Sequence, residues 1–410
     1  MHKQHSLIVL LLWVIVASLA CGDDGDASGE TSTPDNNAAN NAPNNTANNA
    51  PNNTANNGEA LPPTPWPVTE AGFYNIGYRT ESLTYDSAAT GEPRSIRLAY
   101  WYPTLDDDAG ANVRYGGLLP RQGPVEDASV AVEGEMPVLV FSHGSNGFAE
   151  QSFFMTEFYA SHGWIVVAMD HTGNAFRDGS FPPETFATRP QDVTATLDHV
   201  FSLPDEHPLA GRFSDDVLLS GHSFGGYTTL FSAGARFNVS LVNEACEQNV
   251  LADSACDFFL REDIQQSFID GFLDPRVDVA IPQAPFGGPV FGEGVADVDI
   301  PVMLLTALGD VTLPPEQDGD PLWDGLDGAD DIRVDFVTGG HFTFSDACAL
   351  GVGVGDGCGP EFIAPETAHF LVNAYTMAFA RKHLFDDDTN DDILDGTNEL
   401  DGSIRLFFKR

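Results

Sequence analysis

The pentapeptide Gly221-His222-Ser223-Phe224-Gly225 is the part of the sequence most suggestive of chemistry. It follows the apolar run 217–220, is followed by Gly226 and comes directly before a helical segment. This is the strand-turn-helix context of a Gly-x-Ser-x-Gly nucleophile elbow. Such a turn is strained, leaves no room for a Cβ at the flanking glycines, and lifts the serine hydroxyl to a helix N-terminus. We therefore predict that Ser223 is a nucleophile; the alternative is a glycine-rich turn with an idle serine.

A serine hydroxyl is a poor nucleophile unless a base takes its proton. In this motif the acid and then the histidine follow the serine along the chain. Three histidines follow Ser223, namely His341, His369 and His383. The last two lie on a predicted C-terminal helix, where a histidine usually packs or faces solvent. His341 lies in a glycine loop directly after a predicted strand, and we predict that it is the base.

The base also needs a carboxylate that fixes its tautomer and stabilises the imidazolium ion. Asp310 follows the apolar run 302–308 and is the predicted acid. Asp278 precedes its strand, which places it at the opposite edge of a parallel sheet. Asp346 and Asp356 lie in a candidate disulfide loop, and we expect both to be solvated.

An acyl-transfer site further needs N–H groups directed at the developing oxyanion. One donor is predicted to be the backbone N–H of Phe224, since it follows the nucleophile. The second is predicted to be the N–H of Ser145, in a loop after the first central strand where Gly144 keeps the approach open. His143 opens that loop and is predicted to buttress the site. The further residues predicted to shape the pocket are Asp170, His171 and His222.

The alternation of short apolar runs with amphipathic segments predicts the strands and helices that must position these residues. This pattern predicts an α/β fold, a mostly parallel sheet of about eight strands with helices on both faces. The predicted strands are 136–142, 164–169, 217–220, 277–281, 302–307 and 332–337, preceded by an antiparallel edge over 73–102. The predicted helices are 149–161, 190–202, 225–235 and 361–384.

Residues 237–274 interrupt this alternation and carry apolar residues at helical spacing, so we predict an inserted helical lid over the carboxyl edge of the sheet. Its phenylalanines favour an apolar substrate group or are simply the core of the lid. Four cysteines form two local pairs, Cys246 with Cys256 and Cys348 with Cys358. We predict two disulfides, since no Cys-x-x-Cys spacing indicates zinc.

Composition limits the class of protein. The 410 residues include 61 acidic and 18 basic side chains, for a formal charge of -43, which excludes nucleic acid as a partner. Hydrophobic residues make up 42% of the chain, enough for a large core.

The N-terminal residues are typical of an export signal. Residues 1–20 contain an apolar run that is too short to span a bilayer but fits a signal peptide. The run ends in Ser18-Leu19-Ala20-Cys21, which resembles a bacterial lipobox and predicts lipidation of Cys21. The alternative is an ordinary secretory signal. Residues 21–65, rich in Asn and Pro, are predicted to be a disordered tether, and 66–410 a single catalytic domain.

Six blocks of sequence carry a resemblance to a known family. In chain order they are FSHGSNGF, VVAMDHTGN, RPQDVTATLD, GHSFGG, DPRVDVAIPQAP and TGGHFTF. They resemble the bacterial dienelactone-hydrolase-like branch that is similar to platelet-activating-factor acetylhydrolase. The resemblance implies an α/β-hydrolase fold that cleaves carboxylic esters with a Ser-Asp-His triad.

Two features depart from that family. Dienelactone hydrolases use a cysteine nucleophile, whereas position 223 is serine. The acetylhydrolase carries its acid one strand earlier, where this chain reads Pro282-Gln283-Ala284-Pro285. The second departure favours Asp310 as the acid.

These observations together predict an exported or lipid-anchored serine esterase that acts through an acyl-enzyme. The expected substrate is an apolar acyl ester such as a short-chain lipid, a phospholipid acetyl ester or a polyester. No metal or organic cofactor is expected, and the membrane is expected as a partner only through the lipid on Cys21. An acyltransferase and a catalytically silent binding module on the same fold are the alternatives.

Overall fold

The computed structural model describes residues 66–107, 113–179, 181–353 and 355–409. The predicted signal peptide, Cys21 and the predicted tether lie outside the described residues. Among the helices that are described, none combines the length and the hydropathy that crossing a membrane requires.

One large sheet organises the described chain. The strands are β1 (Asn75–Asp86), β2 (Pro93–Thr104), β3 (Val113–Tyr115), β4 (Leu119–Arg121), β5 (Val125–Glu126), β6 (Met136–Ser142), β7 (Ile165–Asp170), β8 (Phe213–His222), β9 (Val279–Gln283), β10 (Met303–Ala307), β11 (Ile332–Phe336) and β12 (Ile404–Phe408). Within the described residues, ten of them form one sheet in the order β12-β11-β10-β9-β8-β6-β7-β2-β1-β5. The predicted α/β fold with a mostly parallel sheet is confirmed.

The sheet is wider than the expected eight strands because each edge gains one strand. The two-residue β5 pairs parallel to β1, and β12 pairs antiparallel to β11. The short strands β3 and β4 form a separate hairpin. From β7 across to β11 the neighbours run parallel, so their carboxyl ends share one edge.

The central strands are apolar on both faces because helices cover both. The helices are α1 (Phe153–Ser161), α2 (Thr185–Val200), α3 (Phe224–Ser232), α4 (Val239–Glu247), α5 (Asp253–Phe259), α6 (Glu262–Asp270), α7 (Gly319–Gly325), α8 (Pro365–Phe385) and α9 (Asp391–Leu394). In β6, Leu139 and Phe141 belong to the core under α1 and α8. Val138 and Val140 belong to the core under α2. Successive residues of the strand thus point alternately into two hydrophobic cores, one on each face of the sheet.

The start of α2 shows how a tertiary contact overrides a local signal. The predicted helix begins at 190, and a proline inside a helix leaves a carbonyl without its backbone donor. In the structure, α2 begins five residues earlier, at Thr185, and Pro190 lies inside it. The carbonyl of Phe186 instead accepts the hydroxyl of Tyr227 at 2.8 Å.

Helices α4, α5 and α6 occupy the segment 237–274 that was predicted to be a lid. Its aromatic rings pack on α3, where Phe231 stacks with Phe237 and Phe268. Phe259 reaches Phe186 on α2, with ring centroids 4.8 Å apart. These phenylalanines are buried, so they form the core of the segment itself.

Candidate active site

Ser223 lies on the sharp turn between β8 and α3. Its backbone has φ 60° and ψ −119°, a conformation that is strained for any residue other than glycine. A Cβ at Gly225 would lie 1.9 Å from the carbonyl oxygen of Ser142, and a Cβ at Gly221 would lie 2.5 Å from the carbonyl oxygen of Gly225. The N–H of Ser223 donates to the carbonyl of Gln283 on β9 at 2.8 Å. The glycines therefore let the turn fit against β6, and β9 holds it there.

The structure brings Ser223, His341 and Asp310 together. His341 Nε2 lies 2.9 Å from Ser223 Oγ, and His341 Nδ1 lies 2.8 Å from Asp310 Oδ2. His341 is 2% exposed and Asp310 is 5% exposed. The three residues come from the turns after β8, β10 and β11, so the shared carboxyl edge of the sheet explains how distant positions meet.

The charges around His341 set its protonation. Burial alone lowers the pKa of the imidazole, but the carboxylates of Asp310, Asp356 and Asp318 outweigh burial and raise the pKa of His341 above its ordinary value. The hydrogen bond to Asp310 assigns the proton of the neutral ring to Nδ1. Nε2 is then the acceptor that faces the hydroxyl of Ser223. This is the tautomer that a general base needs.

A relay of hydrogen bonds joins the histidine loop to the loop after β6. His222 Nε2 lies 2.8 Å from the carbonyl oxygen of His341, and His222 Nδ1 lies 3.0 Å from Gln151 Nε2. Gln151 Oε1 accepts the N–H of Gly144 at 2.9 Å. Burial holds the pKa of His222 well below its ordinary value, so the ring is neutral and can donate at one nitrogen while accepting at the other. His222 thus holds the backbone of His341, and Gln151 is a residue of this cluster that the sequence did not reveal.

The loop after β6 lies directly against Ser223. A Cβ at Gly144 would lie 3.3 Å from the Cβ of Ser223. Phe224 is the first residue of α3, and its N–H has no acceptor within the helix. Among the hydrogen bonds of the described residues, none uses the backbone N–H of Ser145 or of Phe224. Both N–H groups can therefore donate to a bound ligand.

His143 and His171 lie behind that loop, fully buried. His143 Nδ1 lies 2.6 Å from the carbonyl oxygen of Gly144, and its Nε2 accepts the N–H of His171 at 3.1 Å. His171 in turn contacts Ser142 Oγ at 2.9 Å and Asp192 at 2.8 Å. Through these hydrogen bonds both histidines stabilise the end of β6 and the loop that follows it.

Asp170 was expected beside them as a pocket-shaping residue. Its carboxylate forms an ion pair with Arg97 at 2.9 Å and accepts the N–H of Ala149 at 2.7 Å. Asp170 is thereby tied to the strand β2 and to the turn before α1.

Arg189 is a buried charge that the sequence did not single out. Its guanidinium donates to Asn174 Oδ1 at 2.7 Å, to Ser142 Oγ at 3.0 Å and to the carbonyl of His143. The same group lies over the ring of Phe224, 4.7 Å from the centroid. Burial lowers the pKa of Arg189 to about 9. Arg189 braces the loop after β6 and the start of α3 at once.

The expectation that Asp346 and Asp356 are solvated is wrong. They are 5% and 7% exposed. Asp346 accepts the N–H of Phe154 at 2.9 Å, and burial raises its pKa to about 7. Asp356 accepts the N–H of His341 at 2.8 Å. Both carboxylates are bound by backbone donors from segments far away in sequence.

Both predicted cysteine pairs are disulfides in the structure, Cys246–Cys256 and Cys348–Cys358. In the part of the chain that is described, no group of three or more His, Cys, Asp or Glu side chains could hold a metal ion.

Comparison with known proteins bears on the fold. No family model matches the sequence, and no relative is found among curated proteins. The chain is similar in structure to a ferulic acid esterase from Streptomyces cinnamoneus, with a TM-score of 0.59 at 20% identity. The match covers 82% of this chain and 96% of that one. At this identity the likeness bears on the fold alone, and it agrees with the α/β architecture described above.

Proposed function

We propose that the protein is a serine-dependent carboxylic ester hydrolase with Ser223, His341 and Asp310 as its catalytic triad. The observation that carries this proposal is the unbroken line of hydrogen bonds from Ser223 Oγ through the imidazole of His341 to Asp310. The strained turn at Ser223 and the esterase fold of the structural neighbour support the same conclusion.

The geometry supports a two-step reaction. His341 Nε2 takes the proton of Ser223 as the oxygen attacks the ester carbonyl, and Asp310 stabilises the imidazolium ion that forms. The imidazolium returns its proton to the leaving alcohol, and the acyl group stays on Ser223. Water then attacks this ester with His341 again as base, which releases the acid and regenerates the serine.

Two backbone N–H groups are proposed to stabilise the oxyanion. They are those of Ser145, in the loop after β6, and of Phe224, at the start of α3. A helix N-terminus adds a favourable field for the negative oxygen. The bracing of this region by Arg189 and by the relay through Gln151 holds both donors in place before substrate binds.

The substrate is proposed to carry an apolar acyl or aryl group. Phe181 is 41% exposed, and its ring centroid lies 5.1 Å from that of Phe224. Val311, next to the acid, is 71% exposed. Phe181 thus lies beside the residue that follows Ser223, and Val311 follows Asp310. We propose that helices α4 to α6 act as a lid beside these apolar surfaces. The similarity to the dienelactone-hydrolase-like branch adds short-chain lipids, phospholipid acetyl esters and polyesters as candidates, and the structural neighbour adds esters of ferulic acid.

A substrate panel with one variant and one control tests the proposal. The panel contains p-nitrophenyl esters of increasing chain length, a phospholipid, a polyester film and methyl ferulate. Ser223→Ala should lower turnover by about 10⁶-fold. Ser202→Ala changes an exposed serine at the end of α2 and should leave turnover unchanged. Near-normal turnover in Ser223→Ala contradicts the proposal. Ester products formed with an added alcohol would instead indicate acyl transfer.

We further propose that the chain is exported and anchored through a lipid on Cys21. The two disulfides support an oxidising compartment. Cys21→Ser should move the protein from the membrane fraction to the soluble fraction of cells that express it. An unchanged membrane fraction contradicts the anchor.

A further inference from the structure

Asp356 binds the loops of both the acid and the base. Its Oδ1 accepts the N–H of His341 at 2.8 Å and the N–H of Val311 at 3.2 Å. Its Oδ2 accepts the N–H of Thr312 at 3.1 Å and the hydroxyl of Thr312 at 2.6 Å. Val311 and Thr312 follow Asp310 directly. One buried carboxylate therefore ties the base to the segment that carries the acid.

The chain around Asp356 packs closely against the loop that carries His341. The carbonyl of Asp356 accepts the N–H of Phe342 at 3.0 Å. A Cβ at Gly340 would lie 2.3 Å from the backbone nitrogen of Gly357. Gly357 has φ 108°, and a Cβ there would lie 2.8 Å from the backbone nitrogen of Thr343. The two segments can touch only because both positions are glycine.

Asp356 contacts neither Ser223 nor the ring of His341 through any hydrogen bond of the described residues. Apart from its charge, it can therefore affect the reaction only through the placement of other groups. That placement matters, because a misplacement of about 1 Å in a catalytic group can lower the rate by about 10²-fold. The loops of the acid and the base are also joined by the bond between His341 and Asp310 and by the N–H of Gly309, which donates to the carbonyl of Gly339 at 2.9 Å.

We propose that Asp356 is a positioning residue that fixes the backbone of His341 relative to the loop of Asp310 and so keeps the imidazole aligned between acid and nucleophile. This inference rests on the proposed function, since it concerns the same triad. Its charge has a second consequence, because a carboxylate beside the base also favours the imidazolium form.

Asp356→Asn tests this role. The asparagine side chain replaces one carboxylate oxygen by an amide nitrogen, which cannot accept a hydrogen bond from the backbone N–H groups that face it. We expect kcat to fall by about 10- to 100-fold while KM changes by less than about threefold. The ascending limb of the pH profile should move to lower pH, because one of the negative charges facing His341 is lost. The groups left facing the ring are Asp310, Asp318 and the neutral His222. Unchanged kcat, or a fall in kcat with no shift of the limb, overturns the proposal.

Asp346→Asn is the matched control. Asp346 is also buried, lies in the same segment and binds a backbone N–H, but that N–H belongs to Phe154 on α1. Because burial raises the pKa of Asp346 to about 7, an amide resembles its protonated form. We expect unchanged kcat and an unchanged pH limb. Equal losses in the Asp346 and Asp356 variants would show that burial alone matters and would overturn the proposal.

A milder variant covers the case in which Asp356→Asn does not fold. Thr312→Val removes only the hydroxyl that donates to Asp356, and we expect kcat to fall by about two- to fivefold. Thr389→Val is its control, since Thr389 binds Asp387 in the same way, by its N–H at 3.1 Å and its hydroxyl at 2.6 Å. Unchanged kcat in Thr312→Val, or an equal fall in both variants, overturns the proposal.

A readout without substrate separates this inference from the proposed function. The proton between His341 Nδ1 and Asp310 should give a low-field NMR signal in the wild type, which Asp356→Asn shifts or broadens and Asp346→Asn leaves unchanged. Wild-type protein that shows this signal but hydrolyses no ester refutes the proposed function alone. A signal that Asp356→Asn does not alter refutes the positioning role alone.

Discussion

Two disulfide loops of the same length do different things in this molecule. Cys246–Cys256 and Cys348–Cys358 each join cysteines ten positions apart, with Cα atoms 5.8 Å and 5.4 Å apart. The first joins α4 to α5 in the helical segment and closes over apolar residues such as Leu251. The second closes a loop that carries Asp356 to the triad. Equal cross-links thus serve packing in one region and alignment of polar groups in the other.

The two loops differ in how well each would keep its conformation without its disulfide. Between its cysteines the first loop contains the end of α4, the start of α5 and buried apolar contacts. Apolar contacts tolerate small shifts of the chain. Between its own cysteines the second loop has glycine at every second position from 351 to 357, and all four of these glycines have positive φ. Glycines give the uncrosslinked chain the most freedom to lose on folding. We infer that a loop of this composition depends more on its disulfide to present one carboxylate at a fixed point.

Removal of the charge of Asp310 sets the upper limit for what a misplaced acid loop can cost in kcat. Asp310→Asn should lower kcat for a p-nitrophenyl ester by about 10⁴-fold, because the amide favours the wrong tautomer of His341. The control is Asp278→Asn, since Asp278 accepts the N–H of Val217 at the opposite edge of the sheet. Its kcat should be within about twofold of the wild type. Near-normal turnover in Asp310→Asn would mean that another carboxylate serves the base.

The two disulfide deletions test the comparison itself. Each pair of Cys→Ser changes should lower the free energy of unfolding by about 2–3 kcal/mol, because the two closed loops have the same length. Their effects on kcat should differ. Cys348→Ser with Cys358→Ser should lower kcat by about 10-fold or more, through loss of alignment. Cys246→Ser with Cys256→Ser should leave kcat within about threefold.

Thermal unfolding and ester turnover, measured below the unfolding transition of the weaker variant, check both statements. Equal kcat in the two double variants would remove the distinction between the regions. A large loss confined to the 246–256 pair would reverse it.

The pH profile gives the smallest effect. It sharpens the comparison, because Asp356 of the second disulfide loop is one of the carboxylates that face His341. His341 must be neutral to accept the proton of Ser223, and its pKa is raised. The activity kcat/KM should therefore rise with pH through a midpoint above the ordinary 6.5 of histidine, falling about tenfold per unit below it. A midpoint well below 6.5 would mean that burial outweighs the carboxylates and that the described charge arrangement does not govern the base.

The sequence predicted the parts of the site that are encoded locally. Ser223 is flanked by glycines between a strand and a helix, and His341 lies in a glycine loop after a strand, so short patterns identify both. The parallel arrangement of the strands then required both to lie at one edge. The same reasoning placed Asp310 at the end of β10.

The parts that escaped prediction depend on partners far away in the chain. Asp356, amid glycines, looks solvated in sequence because its donors come from residues 311, 312 and 341. Gln151 similarly meets His222 across 71 positions. The edge strand β12 follows a polar, acidic stretch, and only pairing with β11 reveals it. Long-range hydrogen bonds leave no periodic signal.

The central claim is that Ser223 is the nucleophile, and labelling with a fluorophosphonate tests it most directly, because the adduct with an activated serine is stable. The labelled protein is digested, its peptides are mapped by mass spectrometry, and residual turnover of a p-nitrophenyl ester is measured in parallel. We predict a label on Ser223 alone, with turnover lost in proportion to labelling and no label in Ser223→Ala. Folded protein that keeps full turnover without a label on Ser223, or that loses turnover through a label elsewhere, would contradict the account.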